Sequence, residues 1–275
     1  MAKQRLDQYL HSLGLTESRE QARRLIMAGE VLVDGQLVDR PATQVAPAAR
    51  IEIKRRPRFV SRGGEKLDAA LDRFGVAVAG QVCADLGAST GGFTDALLQR
   101  GAARVYAIDV GHGILDYRLR TDPRVVVIER TNARYLERLP ELVGLVTIDA
   151  SFISLKLLLP VAKGWLSTAP IASPALTAQP ARESAGDLIA LIKPQFEAGR
   201  RQVGKGGIVK DPAVHRQVLQ DLLAWAQANG LGPAGLMRSP ITGGAGNVEF
   251  LAWMRPGSPV DFDSNAAIEA VLPET

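Results

Sequence analysis

Cysteine is almost absent from this chain: Cys83 stands alone among 275 residues. No internal disulfide framework can form, which excludes the small disulfide-stapled secreted folds. Histidine is nearly as scarce, and His11, His112 and His215 show no metal-ligand spacing with Cys83 or with one another. No apolar stretch approaches the ~20 residues that a membrane span needs. The start, "MAKQRLDQYLHSLGL", lacks the apolar core of a secretory leader. The expectation is a reduced, cytoplasmic protein without metal or membrane partner. Hydrophobic residues make up 46% and charged residues 23%, enough for one large domain or one with a small companion. Charge is unevenly placed. Residues 1–66 hold 13 Lys/Arg against 8 Asp/Glu, leaving +5, whereas the rest holds 20 against 21, leaving −1. A polyanion partner and a plain solvated surface both suit the basic end.

That end has its own pattern. In "RLDQYLHSLGL", Leu6, Leu10 and Leu13 recur at helical spacing and Gly14 ends the run. "TESREQARRLIMAGE" offers Thr16 or Ser18 as a helix cap and puts Ala22, Leu25 and Ile26 on one face. Arg19, Arg23 and Arg24 are expected together on another face. "VLVDGQLV" holds the Asp34-Gly35 pair of a tight hairpin, and "ARIEIKRR" alternates as an edge strand does. Through "RLD..L...GL..SR..A..LI..G.V.V.G", residues 3–56 resemble the S-four RNA-binding domain, with Asp34 where many members carry Asn. The resemblance implies that Arg5, Arg19, Arg23 and Arg24 meet RNA phosphates, and that this segment positions RNA without doing chemistry.

The basic stretch "KRRPRFVSRGGEKL" follows, and 57–65 reads as a linker in which Phe59 either stacks a base or packs against the next domain, packing being the first reading. Beyond it helices and short apolar strands alternate: "QVCADL", "RVYAIDV", "VVVIE", "LVTID", "LIALIKP", "GLMRSPI" and "NVEFLAWM". This is the pattern of an α/β fold with a largely parallel sheet covered on both faces. The last two strands are expected to form an antiparallel edge pair. The division is therefore 1–56, linker 57–65, an α/β domain over 66–255 and a tail over 256–275. An Ala/Pro/Ser-rich insertion at about 165–187 has no periodicity and no assigned chemistry.

The loop after the first strand of the α/β domain is "DLGASTGGFT", residues 85–94. In such sheets ligands sit beyond the carboxyl ends of strands, and this loop is a favoured place. Its pattern is neither a dinucleotide fingerprint nor a phosphate loop. Asp85 ahead of the glycines suits a cationic or amine-bearing ligand, with glycines letting backbone approach it. Asp109, ending the next strand in "YAIDVG", can accept ribose hydroxyls. S-adenosyl-L-methionine has an amino-acid end, a sulfonium, a ribose and no phosphate, so a methyltransferase is the first reading. The fourth strand is followed by "DASF" at 149–152, not the Asn/Asp-Pro-Pro-Tyr of base-nitrogen methyltransferases. Four charged residues stand at element ends: Lys66, Asp149, Lys193 and Glu249. A ribose 2′-hydroxyl needs its proton directed as it attacks, which a lysine can do.

"SRGGEKL", "DLGASTGGFT", "IDASFISL", "IKPQFE", "GKGGIV" and "GNVEF", in this order, resemble the TlyA family, called haemolysin A in older naming. The resemblance covers residues 3 to about 255. It implies an S-four domain joined to an FtsJ-like (RrmJ-like) class I methyltransferase of Rossmann-like fold with a seven-stranded sheet. The implied activity is 2′-O-methylation of cytidine in ribosomal RNA, with ribosomal subunits as partners. It implies a tetrad of Lys66, Asp149, Lys193 and Glu249; if Glu249 only orients Lys193, its loss is expected to cost less than that of the other three. Cofactor contacts would fall to Asp85, Gly87, Ser89, Thr90, Gly91, Gly92, Phe93 and Asp109, with Asn132 near the adenine.

Two other readings are kept: a non-catalytic ribosome-assembly factor, and a pore-forming haemolysin, which no long apolar or cationic amphipathic segment supports. Cys83 and the three tryptophans read as core, and His112 as a turn residue. "GRRQVGKGGIVKD" at 199–211 is a basic, glycine-rich candidate for facing RNA, and "SNAAIEAVLPE" is a possible extra helix. Oligomeric state, the target nucleotide and the ribosomal subunit are not legible.

Overall fold

The computed structural model describes residues 3–16, 18–53, 57–167, 186–257 and 261–272. The chain divides into two compact units, Met1–Arg58 and Phe59–Thr275. In the first, β1 (Gln4–Arg5) runs into α1 (Leu6–Ser12), followed by α2 (Arg19–Met27), β2 (Val31–Val33), β3 (Gln36–Leu37), β4 (Gln44–Val45) and β5 (Ile51–Ile53). β1 pairs with β4, and the three-stranded sheet has the order β3-β2-β5, so β5 is an edge strand. Leu6 and Leu10 from α1 meet Ala22 and Ile26 from α2 over Val31 and Val45. These i,i+4 pairs are the apolar stripe of each helix. Leu13 departs from the stripe: it is the C-cap of α1 and nearly half exposed. Of the two possible caps, Ser18 is the one used, its side chain accepting from the Gln21 amide at 3.1 Å. Asp34 and Gly35 both take positive φ, 50° and 79°, as a two-residue hairpin turn demands.

The second unit runs α3 (Gly63–Phe74), β6 (Val82–Leu86), α4 (Gly92–Gln99), β7 (Arg104–Ile108), α5 (Tyr117–Arg120), β8 (Val125–Ile128), β9 (Leu145–Ile148), α6 (Leu159–Trp165), β10 (Asp187–Ile192), α7 (Pro194–Glu197), α8 (Pro212–Ala228), β11 (Leu231–Arg238), β12 (Phe250–Pro256) and α9 (Ser264–Val271). Its seven strands lie in the order β11-β12-β10-β9-β6-β7-β8. The five from β10 to β8 are parallel, and β12 inserts antiparallel between β10 and β11. β9 and β10 are buried along their whole lengths, because helices cover both faces. One core packs α6 and α8 against the sheet, and the other packs α3 and α4.

Three boundaries differ from the sequence reading. The stretch expected as a linker belongs from Phe59 onward to the second unit. Phe59 is buried beside Gly64, where a side chain would strike its ring, and α3 has already begun at Gly63. β11 starts at Leu231, directly after the helix-ending Gly230, where sequence placed the strand from Gly235. The tail contributes structure: Asp263 caps α9 through the amides of Asn265 and Ala266, and Ile268 and Leu272 enter the core. Most of the expected insertion, 168–185, lies outside the described residues. At its flanks the Gly186 amide donates to the Ser167 carbonyl at 2.8 Å, closing the two ends.

Candidate active site

Register brings the charged residues to one end of the sheet. Leu86 and Ala190 both pair with Ile148, and Ile192 pairs with Phe250. The residues just beyond these ends are Gly87, Asp149 and Lys193. Glu249 joins them because β12 is antiparallel and its N-terminal end lies at this edge. Lys66 arrives from the first turn of α3.

The four form two ion pairs. Lys66 Nζ donates to Glu249 Oε2 at 2.5 Å, with side-chain exposures of 10% and 3%. Lys193 Nζ stands 2.6 Å from Asp149 Oδ1 and donates to Ser151 Oγ at 3.0 Å. Glu249 therefore meets Lys66, so the condition that it only orients Lys193 is not met: it reaches the helix packed over the sheet rather than the neighbouring strand. Lys66 and Asp149 line one cavity of about 220 Å³ with Gly87, Ala88, Ser89, Thr90, Gly92 and Phe93. Ser61, Arg62 and Gly63, from the "SRGGEKL" motif, line it too, an addition to the residues expected from sequence.

The glycine loop differs in its reason. A Cβ on Gly87 (φ 86°) would lie 2.6 Å from the Asp149 carbonyl oxygen. On Gly91 (φ 98°) it would strike Leu119, and on Gly92 Ser61. These glycines are required by protein neighbours, and Gly87 lets the loop lie directly on the backbone of Asp149. Asp85 does not line the cavity. It is fully buried beneath the loop, accepting from Thr94 Oγ1 at 2.7 Å and Thr147 Oγ1 at 3.3 Å. Burial pushes its carboxyl up to about 7, with nearby Asp149 adding and the two hydroxyls opposing. Asp109 accepts from the amides of Ser89 (2.8 Å) and Gly111 (2.6 Å), linking the loops after β6 and β7. Glu129 braces the second loop through Arg120, His112 Nδ1 and the Gly113 amide, and the Arg120 guanidinium leads in holding its carboxyl down to about 2. Asn132 is exposed and caps the turn Ala133–Tyr135 through the Arg134 amide.

Sequence reasoning passed over three further features. Phe152 is 90% exposed with φ 63°, a left-handed backbone that a bulky residue adopts only at some cost, and its ring lies 4.9 Å from Phe196. Lys193 Nζ is 5.9 Å from the Phe196 ring. Glu197 holds this turn, accepting from Ser154 Oγ and the Leu155 amide, both at 2.7 Å. Asn247, 2% exposed, accepts from the Val209 amide and donates to the Gly207 carbonyl, both at 2.9 Å, which ties "GKGGIV" to "GNVEF". The "DASF" stretch was the visible signal for Phe152. Nothing local marked Asn247, whose partners are about forty residues away.

A glycine loop, an acidic residue after the next strand and two lysine–carboxylate pairs now share one end of a seven-stranded sheet. The FtsJ-like methyltransferase family matches residues 59–256, and the S4 domain, the S-four domain above, matches residues 4–51. The chain belongs to the FtsJ-like methyltransferase family. It is 45% identical over 257 residues to the 16S/23S rRNA (cytidine-2'-O)-methyltransferase TlyA of Mycobacterium tuberculosis, covering 91% of this chain and 89% of that one. It is 40% identical to Hemolysin A of Brachyspira hyodysenteriae, over 90% of this chain and 98% of that one. A solved candidate hemolysin from Streptococcus thermophilus superposes with TM-score 0.69 at 40% identity, over 98% and 96% of the chains. Among the described residues no helix is long and apolar enough to cross a membrane.

Proposed function

We propose that this FtsJ-like protein methylates a ribose 2′-hydroxyl of ribosomal RNA, cytidine being the nucleoside, and uses S-adenosyl-L-methionine. The observation that carries this is that two ion pairs, Lys193–Asp149 and Lys66–Glu249, each place one member, Asp149 and Lys66, on the cavity lined by the glycine loop. The cavity suits the cofactor chemically: Asp149 lines it as a partner for a cationic ligand, Asp109 stands just behind it, bonded to the Ser89 amide, and no Gly-Lys-Ser/Thr phosphate loop is present. Gly87, Ser89, Thr90, Gly92 and Phe93 would hold it, with Asp109 at the ribose and Asn132 toward the base. Bound there, it supplies an electrophilic methyl on a sulfonium. Lys193 Nζ takes the proton of the acceptor hydroxyl, and Asp149 Oδ1, 2.6 Å away, is the place for the proton that Nζ must give up first. Ser151 and Phe196 fix the lysine's direction. Lys66, neutralised by Glu249, closes the other side of the cavity. The exposed ring of Phe152, 4.9 Å from the Phe196 ring that Lys193 approaches, offers a stacking surface for the acceptor's base.

Ribosomal RNA as substrate places the protein in the cytoplasm with ribosomal subunits as partners. The test is transfer of labelled methyl from S-adenosyl-L-methionine to undermethylated 16S and 23S RNA, free and in subunits, followed by mass spectrometry of the nucleosides. 2′-O-methylcytidine is expected. A base-methylated nucleoside, or no product with any of these substrates, would overturn the reading.

A further inference from the structure

The smaller unit contains a buried charge that the reading above does not use. Asp7, in the first turn of α1, is 0% exposed. Its Oδ1 accepts from Arg5 Nε and the Gln8 amide, each at 3.0 Å. Its Oδ2 accepts from Arg5 Nη2 at 3.1 Å and Arg19 Nε at 3.0 Å. One carboxylate thus anchors two guanidiniums from two different helix starts. Burial alone would raise this carboxyl, yet the two arginines hold it below the usual carboxylate range. The arginines themselves stay 38% and 49% exposed, with most of their N–H donors unspent. A buried ion pair is a poor way to gain stability, since an apolar residue of similar size packs at less desolvation cost. What it does provide is fixed orientation of planar, multi-donor cations toward solvent.

We propose that Asp7 is a positioning residue that sets Arg5 and Arg19 as a paired clamp for adjacent phosphates of the RNA backbone. This rests on the reading that the unit binds RNA through these arginines. Unanchored, each long side chain must be immobilised at the moment of binding; held by Asp7, it is already ordered. Arg23 is one helical turn beyond Arg19 and extends the same face. Arg24, about 140° around the helix from Arg19, does not. The four arginines expected to act together therefore divide, with Asp7 organising only the first two.

The sign of one substitution separates positioning from bulk charge. Asp7→Asn adds one positive charge to the unit, so bulk electrostatics predicts tighter RNA binding. Positioning predicts weaker binding, by roughly tenfold for two freed side chains. The experiment measures affinity of the full chain for purified ribosomal RNA across a salt series. It uses wild type, Asp7→Asn, Arg5→Ala/Arg19→Ala, and all three changes together. The expected result is weaker binding for Asp7→Asn, and no further effect of Asp7→Asn once both arginines are gone. A purely structural role would instead weaken binding equally in both backgrounds and overturn the proposal, as would wild-type or tighter binding of Asp7→Asn. Arg19→Lys keeps the charge and avoids emptying a buried site, so it serves even if Asp7→Asn fails to fold. It should bind as weakly as Arg19→Ala; wild-type affinity would overturn the proposal. If Arg5→Ala/Arg19→Ala leaves both affinity and salt slope unchanged, the arginine reading itself fails, and the clamp with it.

Discussion

Asp7 and Asp149 both hold cations, and to opposite ends. Asp7 serves two arginines, leaving the trio positive and half open to solvent. Asp149 serves one lysine, and the second lysine of that site has its own Glu249, so these charges cancel in pairs and lie mostly buried. Whole units follow the same division. Met1–Arg58 has 11 Lys/Arg against 7 Asp/Glu, a net +4, whereas Phe59–Thr275 has 22 of each. Exposed net charge attracts a polyanion at long range and is screened by salt. Buried pairs are screened far less and can fix a proton donor or acceptor at one point. On the proposed function, the difference separates capture of RNA from chemistry on it.

The largest test removes the lysine proposed as base. Lys193→Ala should lower methyl transfer by about 10²–10⁴-fold, the usual share of general base catalysis. RNA affinity and its salt dependence should stay as in wild type, because the charged face of the smaller unit is untouched. Next, Glu249→Ala strands Lys66 as an unpaired buried cation, at a cost of about 3–5 kcal/mol. Thermal unfolding of the full chain should show a clear fall in melting temperature, and replacing Lys66 and Glu249 together by Met and Leu should restore much of it. An unchanged melting temperature in Glu249→Ala would show that the pair is not buried as a unit.

Phe152→Ala should cost about 1–3 kcal/mol of acceptor binding if its ring stacks on a base, read as a raised KM for RNA with unchanged cofactor affinity. Replacing Arg5, Arg19 and Arg23 by Ala should flatten the salt slope of RNA binding by about 0.7–0.9 per lost phosphate contact, about two units in all. An unchanged slope would collapse the contrast between the units. The smallest effect concerns Asp85. Its folded pKa of about 7 lies above that of an exposed carboxyl, so its contribution favours the folded state most at low pH and is lost as pH rises toward and through 7. The stability of Asp85→Asn relative to wild type should therefore improve between pH 5 and pH 8. A pH-independent difference would show that the carboxyl is ionised throughout.

Much of this was legible in the chain. The apolar runs from "QVCADL" to "NVEFLAWM" announced seven strands, because a strand buried on both faces has to be apolar along its length. Lys66, Asp149, Lys193 and Glu249 stood out because charge at the end of an apolar run is conspicuous. Asp7 did not, although "RLD" was quoted, since a carboxylate in a first helical turn usually needs no explanation beyond the helix dipole. Phe152 was visible only as a departure from another motif. Its left-handed backbone stands two residues before Ser154 and three before Leu155, which Glu197 holds from another element, and neither is legible locally.

Sequence by itself determined the two-part organisation, the parallel sheet and the residue types of the site, since composition and periodicity are local properties that burial imposes on each segment. It could not decide who pairs with whom. Glu249 meets Lys66 because β12 inserts antiparallel between β10 and β11, which brings residue 249 under a helix 183 positions earlier. Gly87 is glycine because the backbone of Asp149, at the end of the neighbouring strand β9, occupies the space of its side chain. Ion pairs and steric exclusions act over a few ångströms of space, and only the folded chain sets which residues come within that distance.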